Sequence, residues 1–141
     1  MLNKYKEDFI LLTEAGFIAV NQADEDAAKK LFHAALLLDA TNTLPSIGLG
    51  YLAFHKLELT EAIKIFEEVL RKEPNNEMAR TLLGITKSMT VNQVTEAEKL
   101  LHETSQSSEE NIKKLSGMAL EFVDKFIKKE PSPVEVKKPK Q

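Results

Sequence analysis

His33, His55 and His102 are the first side chains to weigh for chemistry, because imidazole serves both as an acid–base group and as a metal ligand near neutral pH. None has a second His or a Cys at ligand spacing, and no H-E-x-x-H element occurs. They read as surface or packing histidines. The chain has no cysteine, which removes thiolate metal sites, disulfides and cysteine nucleophiles together. Gly48-Leu49-Gly50-Tyr51-Leu52-Ala53 matches a G-x-G-x-x-A dinucleotide fingerprint, but that motif needs a strand before it and a helix beginning at the glycines. Here Pro45 starts a helix earlier and no strand precedes it. The carboxylate pairs Glu67-Glu68 and Glu109-Glu110 are adjacent in sequence, so on a helix they point in different directions and read as solvated faces. No nucleophile, catalytic base or metal set emerges, and the expectation is a protein that is not an enzyme and needs no cofactor or metal.

The elements that would position a surface instead of a reaction centre are visible as an internal repeat. Gly16, Gly50 and Gly84 are each 34 residues apart. Ala28 repeats as Ala62, Phe32 as Phe66 and Ala35 as Val69 at the same offset, and Ala15-Gly16 returns as Leu49-Gly50 and Leu83-Gly84. A small residue late in one helix lets a second helix approach closely, a small residue in that second helix faces it, and a phenyl ring one turn later fills the space between pairs. The predicted helices are 3–21, 24–39, 44–57, 59–73, 77–90, 94–104 and 109–129. Thr43 before Leu44-Pro45, Asn75-Asn76, and a capping box over Ser107 to Glu110 mark helix starts, and Pro74 marks a stop. Ile112, Leu115, Ala119, Phe122, Val123 and Phe126 recur at three- and four-residue steps, making the last helix amphipathic without a partner of its own. A repeat stack needs an end element that covers its last apolar face, so this helix, about 108–130, is read as a cap.

These positions resemble three tetratricopeptide repeats, at about 9–42, 43–76 and 77–110. The middle one fits best, through Leu49, Gly50, Ala62, Phe66 and Pro74. The first has Ala40 in place of the terminal proline. The third keeps Leu83-Gly84 but moves its small residue from Glu96 to Ala97, as a turn one residue longer would. The resemblance implies an all-α fold, a single domain over 1–130 in which three helix-turn-helix units form a short right-handed superhelix closed by the capping helix. The first helix of each unit would line a concave groove, carrying Ile10, Thr13, Phe17 and Val20, then Leu44, Ile47, Tyr51 and Phe54, then Met78, Thr81, Leu82, Ile85 and Met89. Most are apolar, although the core has residues of its own, and a helix hydrophobic on several sides must be covered on several sides. Neighbouring first helices covering one another would hide part of this strip; a binding groove is the other account of it. Repeat proteins of the class that binds acidic chaperone tails carry a Lys, Asn and Arg clamp, whereas Thr13, Phe17, Gly48, Met78 and Leu82 stand here, which points to an apolar helix or an extended hydrophobic segment as the ligand.

The runs Leu11-Leu12-Thr13-Glu14-Ala15-Gly16, Ile47 through Ala53, and Ala79 through Gly84 are similar to the small chaperones of bacterial type III secretion, of the kind that holds needle subunits. That resemblance implies a protein client bound through an amphipathic helix and a small helical co-chaperone. The alternative is a general interaction scaffold or a self-associating repeat module.

Composition agrees with one helical domain. The chain has 141 residues, 43% of them hydrophobic, and a net charge of −3 with the two signs interspersed, so no basic stripe offers a nucleic-acid footprint. The apolar run Phe9 to Leu12 is far shorter than the roughly 20 residues of a membrane span, which gives the expectation of a cytoplasmic protein with no membrane insertion. From Pro131 the sequence PSPVEVKKPKQ, with three prolines and three lysines, predicts a disordered tail over 131–141.

Overall fold

The structure, a computed structural model, describes residues 2–128. The expected tail at 131–141 and the end of the expected cap at 129–130 lie outside the described residues. Seven helices follow in order: α1 (Leu2–Asn21), α2 (Glu25–Leu38), α3 (Leu44–His55), α4 (Leu59–Lys72), α5 (Glu77–Ser88), α6 (Val94–Thr104) and α7 (Glu110–Phe122). The chain is all-α, with no strand among the described residues. At the end of α7 the helix widens into a π turn over Val123–Ile127, where the Lys128 amide donates to the Val123 carbonyl at 2.8 Å. Each helix packs on the next, and α1, α3, α5 and α7 also touch in succession.

The glycines at 34-residue spacing explain why the hairpins close. A Cβ added at Gly16 would lie 2.5 Å from the Phe32 ring, and one at Gly50 would lie 2.5 Å from the Phe66 ring. At Gly84 it would lie 2.9 Å from Leu101. Phe32 also covers Gly48 of the following helix, at 2.3 Å from the equivalent point, so its ring joins two hairpins. Ala28, Ala62 and Ala97 stand one turn before these large residues and have no exposed surface. The displacement to Ala97 and Leu101 in α6 is the one-residue shift expected from the sequence.

That extra residue is located by the turns. Ala23, Leu57 and Asn92 have φ of 59°, 60° and 65°, the left-handed region, and end the three first helices. In the first two turns the pattern is identical: Glu58 N–H donates to the Ala53 carbonyl at 2.9 Å and Leu57 N–H to Phe54 at 2.9 Å, as Asp24 does to Ala19 and Ala23 to Val20. This closure ends α3 at His55 instead of 57. The third turn runs through Thr90 and Gln93 and holds the additional residue, ending α5 at Ser88 instead of 90.

At the open ends of the hairpins α3–α4 and α5–α6 the two helices are joined by polar contacts that repeat with their roles exchanged. Thr43 Oγ1 donates to Glu73 Oε1 at 2.7 Å, and 34 residues on Ser107 Oγ donates to Glu77 Oε1 at 2.9 Å. Thr43 therefore does not cap α3; Asn42 Oδ1 accepts from Leu44 N–H at 2.9 Å in that role. Asn76 caps α5 through the Ala79 amide at 2.9 Å. The expected capping box at Ser107 to Glu110 is not formed: the Ser107 hydroxyl accepts from Glu109 N–H at 2.9 Å, and Glu110 supplies no cap.

One further regularity was not read from the sequence. Ile112, Ser116 and Ala119 of α7 and Val123 of the π turn stand 35 residues after Glu77, Thr81, Gly84 and Ser88 of α5. Ile112, Ser116 and Val123 are buried, and Ser116 Oγ meets Thr104 Oγ1 of α6 at 2.6 Å. By register α7 is a fourth first helix.

Candidate functional site

Along each first helix, residues at i, i+4, i+7 and i+11 share one side. One such row is interior: Phe9, Thr13, Gly16 and Val20 are all buried, and Ile47, Gly50, Thr81, Gly84 and Ser88 continue it. The adjacent row reaches the surface. It consists of Ile10, Glu14, Phe17 and Asn21 on α1, Leu44, Gly48, Tyr51 and His55 on α3, and Met78, Leu82, Ile85 and Met89 on α5.

The thirteen residues expected to line the groove divide between these rows. Thr13, Val20, Ile47 and Thr81 belong to the interior and are between 0% and 2% exposed, so they are corrected from groove to core. The threonine hydroxyls are satisfied inside their own helices, Thr13 donating to the Phe9 carbonyl at 2.8 Å and Thr81 to Glu77 at 2.7 Å. Ile47 packs with Ala62, Phe66 and Leu83, and Val20 with Ala28 and Phe32. The physical reason is the repeat offset: 13, 47 and 81 are one position in three copies, and that position points into the stack. Ile10, Met78 and Met89 are exposed, while Phe17, Leu44, Tyr51, Phe54, Leu82 and Ile85 are half-buried, with one side on the core and one side toward solvent.

Across the row, α1 and α3 are tied by rings. Phe17 meets Phe32 edge-on at 5.2 Å and Tyr51 at 5.7 Å, and Tyr51 meets His55 at 4.5 Å. The Tyr51 hydroxyl donates to Asn21 Oδ1 at 2.8 Å, and burial raises its pKa, keeping the proton that the bond uses. This end of the face is tied by these contacts and carries polar edges in Glu14, Asn21 and His55. The α5 part, Met78, Leu82, Ile85 and Met89, has no polar side chain at all. Methionine is the most adaptable apolar residue, and two of them border this part.

At the other end of the row two hollows meet at Leu44. One, of about 460 Å³, lies among Tyr5, Phe9, Ile10, Leu38 and Leu44, and the other, of about 500 Å³, among Asn42, Leu44, Ile47, Glu73 and Met78. Asp39 and Asn42 border both. Tyr5, Leu38 and Asn42 were not expected here. Tyr5 precedes the repeated part of the chain, so no equivalent in α3 or α5 marks it; the unusual length of α1 is the only indication. Asn42 belongs to a turn, whose side chains the helix period does not place.

His33, His55 and His102 are exposed and lie on separate helices. Among the described residues no three His, Asp or Glu side chains gather in a metal-holding group. No helix among the described residues is long and apolar enough to cross a membrane. Set against known proteins, the chain matches no family model, no curated protein and no solved structure.

Proposed function

We propose that the three hairpins are tetratricopeptide-type units and that the exposed row on α1, α3 and α5 lines a concave groove which holds an amphipathic helix of a client protein. The observation that carries this reading is the uncharged α5 row, with Met78 at 42% and Met89 at 40% exposure beside half-buried Leu82 and Ile85. Full burial of such a side chain from water gains roughly 1.5 to 3 kcal/mol, of which the exposed fraction, under half, is left for a client, and a helix presenting residues at i, i+4 and i+7 matches their spacing. Glu14, Asn21 and His55 at the opposite edge would meet the polar flank of such a helix and fix its direction.

The client class follows the resemblance to needle-subunit chaperones. It is a helical export subunit of a type III secretion system whose apolar face would otherwise drive premature assembly in the bacterial cytoplasm, with a small helical co-chaperone as a further partner. Supporting this is the fit between an adaptable apolar row and a chain that must be released again.

The test is co-expression with a needle-type subunit and measurement of the soluble complex. Met78→Asp and Met89→Asp alter exposed side chains and leave the fold intact; Ile85→Asp and Tyr51→Asp probe the half-buried positions, with helicity checked by circular dichroism. The expected result is loss of the complex in folded Met78→Asp and Ile85→Asp. Undiminished recovery of the client by these variants overturns the proposal.

A further inference from the structure

In each hairpin the first helix has a third row, beside the interior one, that its second helix covers. On α5 this row contains Arg80, Leu83 and Lys87: Arg80 reaches Glu103 of α6 at 3.4 Å, and Lys87 reaches Glu96 of α6 at 2.7 Å. The register of α7 places Leu115, Met118 and Phe122 at these positions, 35 residues later, and Phe126 prolongs the row. Among the described residues no second helix follows α7. Leu115, Met118, Phe122 and Phe126 are 39%, 60%, 44% and 66% exposed, and the two phenyl rings lie 5.1 Å apart. A cap that only shielded the stack would present a polar outer face.

We propose that this row is a self-association surface, on which the α7 helices of two copies pair antiparallel. The arrangement is isologous, and the pattern of the helix is its own complement. With the two-fold axis beside Met118, Leu115 of one copy lies against Phe122 of the other. Lys114, on the flank of the row, then comes within a turn of Glu121 of the other copy. In a single copy Glu121 is paired along its own exposed helix, with Lys125 at 2.7 Å.

The available area sets the strength of the pair. Two phenylalanines of about 200 Å² each, half exposed, contribute roughly 200 Å² per copy. Leu115 and Met118 add about as much, so the pair buries at most about 800 Å², Phe126 lying at its edge opposite Asn111. Stable interfaces bury about 1,200 to 2,000 Å², so this one is a weak, concentration-dependent dimer.

The experiment is sedimentation equilibrium of the full chain from about 1 μM to 1 mM, the range in which weak association is read. The mass should rise from 15.8 kDa toward twice that value. Phe122→Asp, at an exposed position, should keep native helicity and remain monomeric throughout. Because the chain lacks cysteine, Met118→Cys places a single thiol at the axis and should form a disulfide-linked dimer rapidly with diamide, whereas Leu37→Cys, at 88% exposure on α2, should not. A monomer at every concentration overturns the proposal, whether the row is then covered by the chain's own last residues or by another protein. So does a folded Phe122→Asp variant that dimerises like the parent, or equal crosslinking of the two thiols. The client groove lies on another row, so failure of either test leaves the other standing.

Discussion

In the hairpin α3–α4 the space opposite Gly50 is taken by the Phe66 ring; in α5–α6 the space opposite Gly84 is taken by Leu101, a smaller and more flexible residue. Around Phe66 the interior is apolar, with Ile47, Ala53, Ala62 and Val69. Around Leu101 it is furnished with hydroxyls: Thr81, Thr86, Ser88, Thr104 and Ser116 are all 4% exposed or less. Each hydroxyl is satisfied, Thr86 donating to Leu82 at 2.8 Å and Ser88 to Ile85 at 2.6 Å. Lys87, where the equivalent residue in α3 is Ala53, is nearly buried and held by Glu96 at 2.7 Å and Glu67 at 3.7 Å. The same backbone register thus accepts an aromatic core or a hydroxyl-lined one. What it requires is a small residue on the first helix and a large one crossing it.

The sharpest break in this comparison is Phe66→Ala, which deletes a fully buried ring that three helices share and should cost about 3–5 kcal/mol. Leu101→Ala should cost less, within the range of about 2–5 kcal/mol seen for buried aliphatics. Urea unfolding of both variants checks the order. A larger loss at Leu101 would mean that the third hairpin holds the stack together.

Next in size is the glycine series. Gly50→Ala sets a methyl 2.5 Å from the Phe66 ring and 3.0 Å or less from two more of its atoms, and overpacking of this kind costs about 1–3 kcal/mol. Gly84→Ala presses only on the branched end of Leu101, at 2.9 and 3.0 Å, which can turn aside, so its cost should be smaller. Gly117 in α7 has nothing within 4 Å of the added methyl, and there Ala should stabilise by about 0.5–1 kcal/mol through helix propensity alone. A destabilised Gly117→Ala would show that α7 is held against something outside the described residues of one copy.

Much of this was legible in advance because period and residue size carry it. Gly16, Gly50, Gly84, Ala28, Ala62, Phe32 and Phe66 could be aligned by eye, and the shift to Ala97 disclosed the longer turn. The groove was legible only in part. Thr13, Ile47 and Thr81 are 34 residues apart and so had to share one fate, but two threonines and an isoleucine do not say whether that fate is core or surface. Hydropathy marks threonine as ambiguous, and only the crossing of the second helix decides it. The register of α7 was hidden for the opposite reason: Ser116 and Ala119 replace Thr81 and Gly84, and without a following helix no Ala and Phe pair completes the pattern. Leu57 also gave no warning that it would take φ of 60°. The left-handed turn is imposed by the closing bonds from Leu57 and Glu58, against the preference of its side chain.

That strained turn supplies the next comparison. Ala23, Leu57 and Asn92 end equivalent helices, and asparagine tolerates the left-handed region better than a branched aliphatic does. Leu57 is 69% exposed, so little packing is lost with its side chain. Leu57→Gly should therefore stabilise by about 1 kcal/mol, and Asn92→Gly by only a few tenths. Thermal unfolding of the pair distinguishes relief of strain from loss of contact, since the second predicts the opposite sign at Leu57.

The smallest effect is electrostatic, and it again separates the junction of the first two hairpins from the third. Glu25 accepts from Lys29 at 2.9 Å and from Lys56, the residue after α3, at 2.6 Å; these two hydrogen bonds, that of Lys29 first, hold its carboxyl at about 2. In the unfolded chain the same group titrates near about 4.3. A carboxyl whose pKa is lower in the folded state gives stability that is complete above the unfolded value and is lost as pH falls toward about 2. Glu96, held below its ordinary range by the hydrogen bond from Lys87, acts in the same direction within the third hairpin. Both carboxyls are solvent-exposed, so the effects are small and screened by salt. Glu25→Gln should flatten the fall in stability between pH 5 and 2 and leave the hairpin α5–α6 unaffected, while Glu96→Gln should do the reverse. Amide hydrogen exchange at several pH values, read separately in α2–α3 and α5–α6, tests this. If either variant changes the acid response of both regions equally, the hairpins unfold as one unit, and their different interiors do not give them separate stabilities.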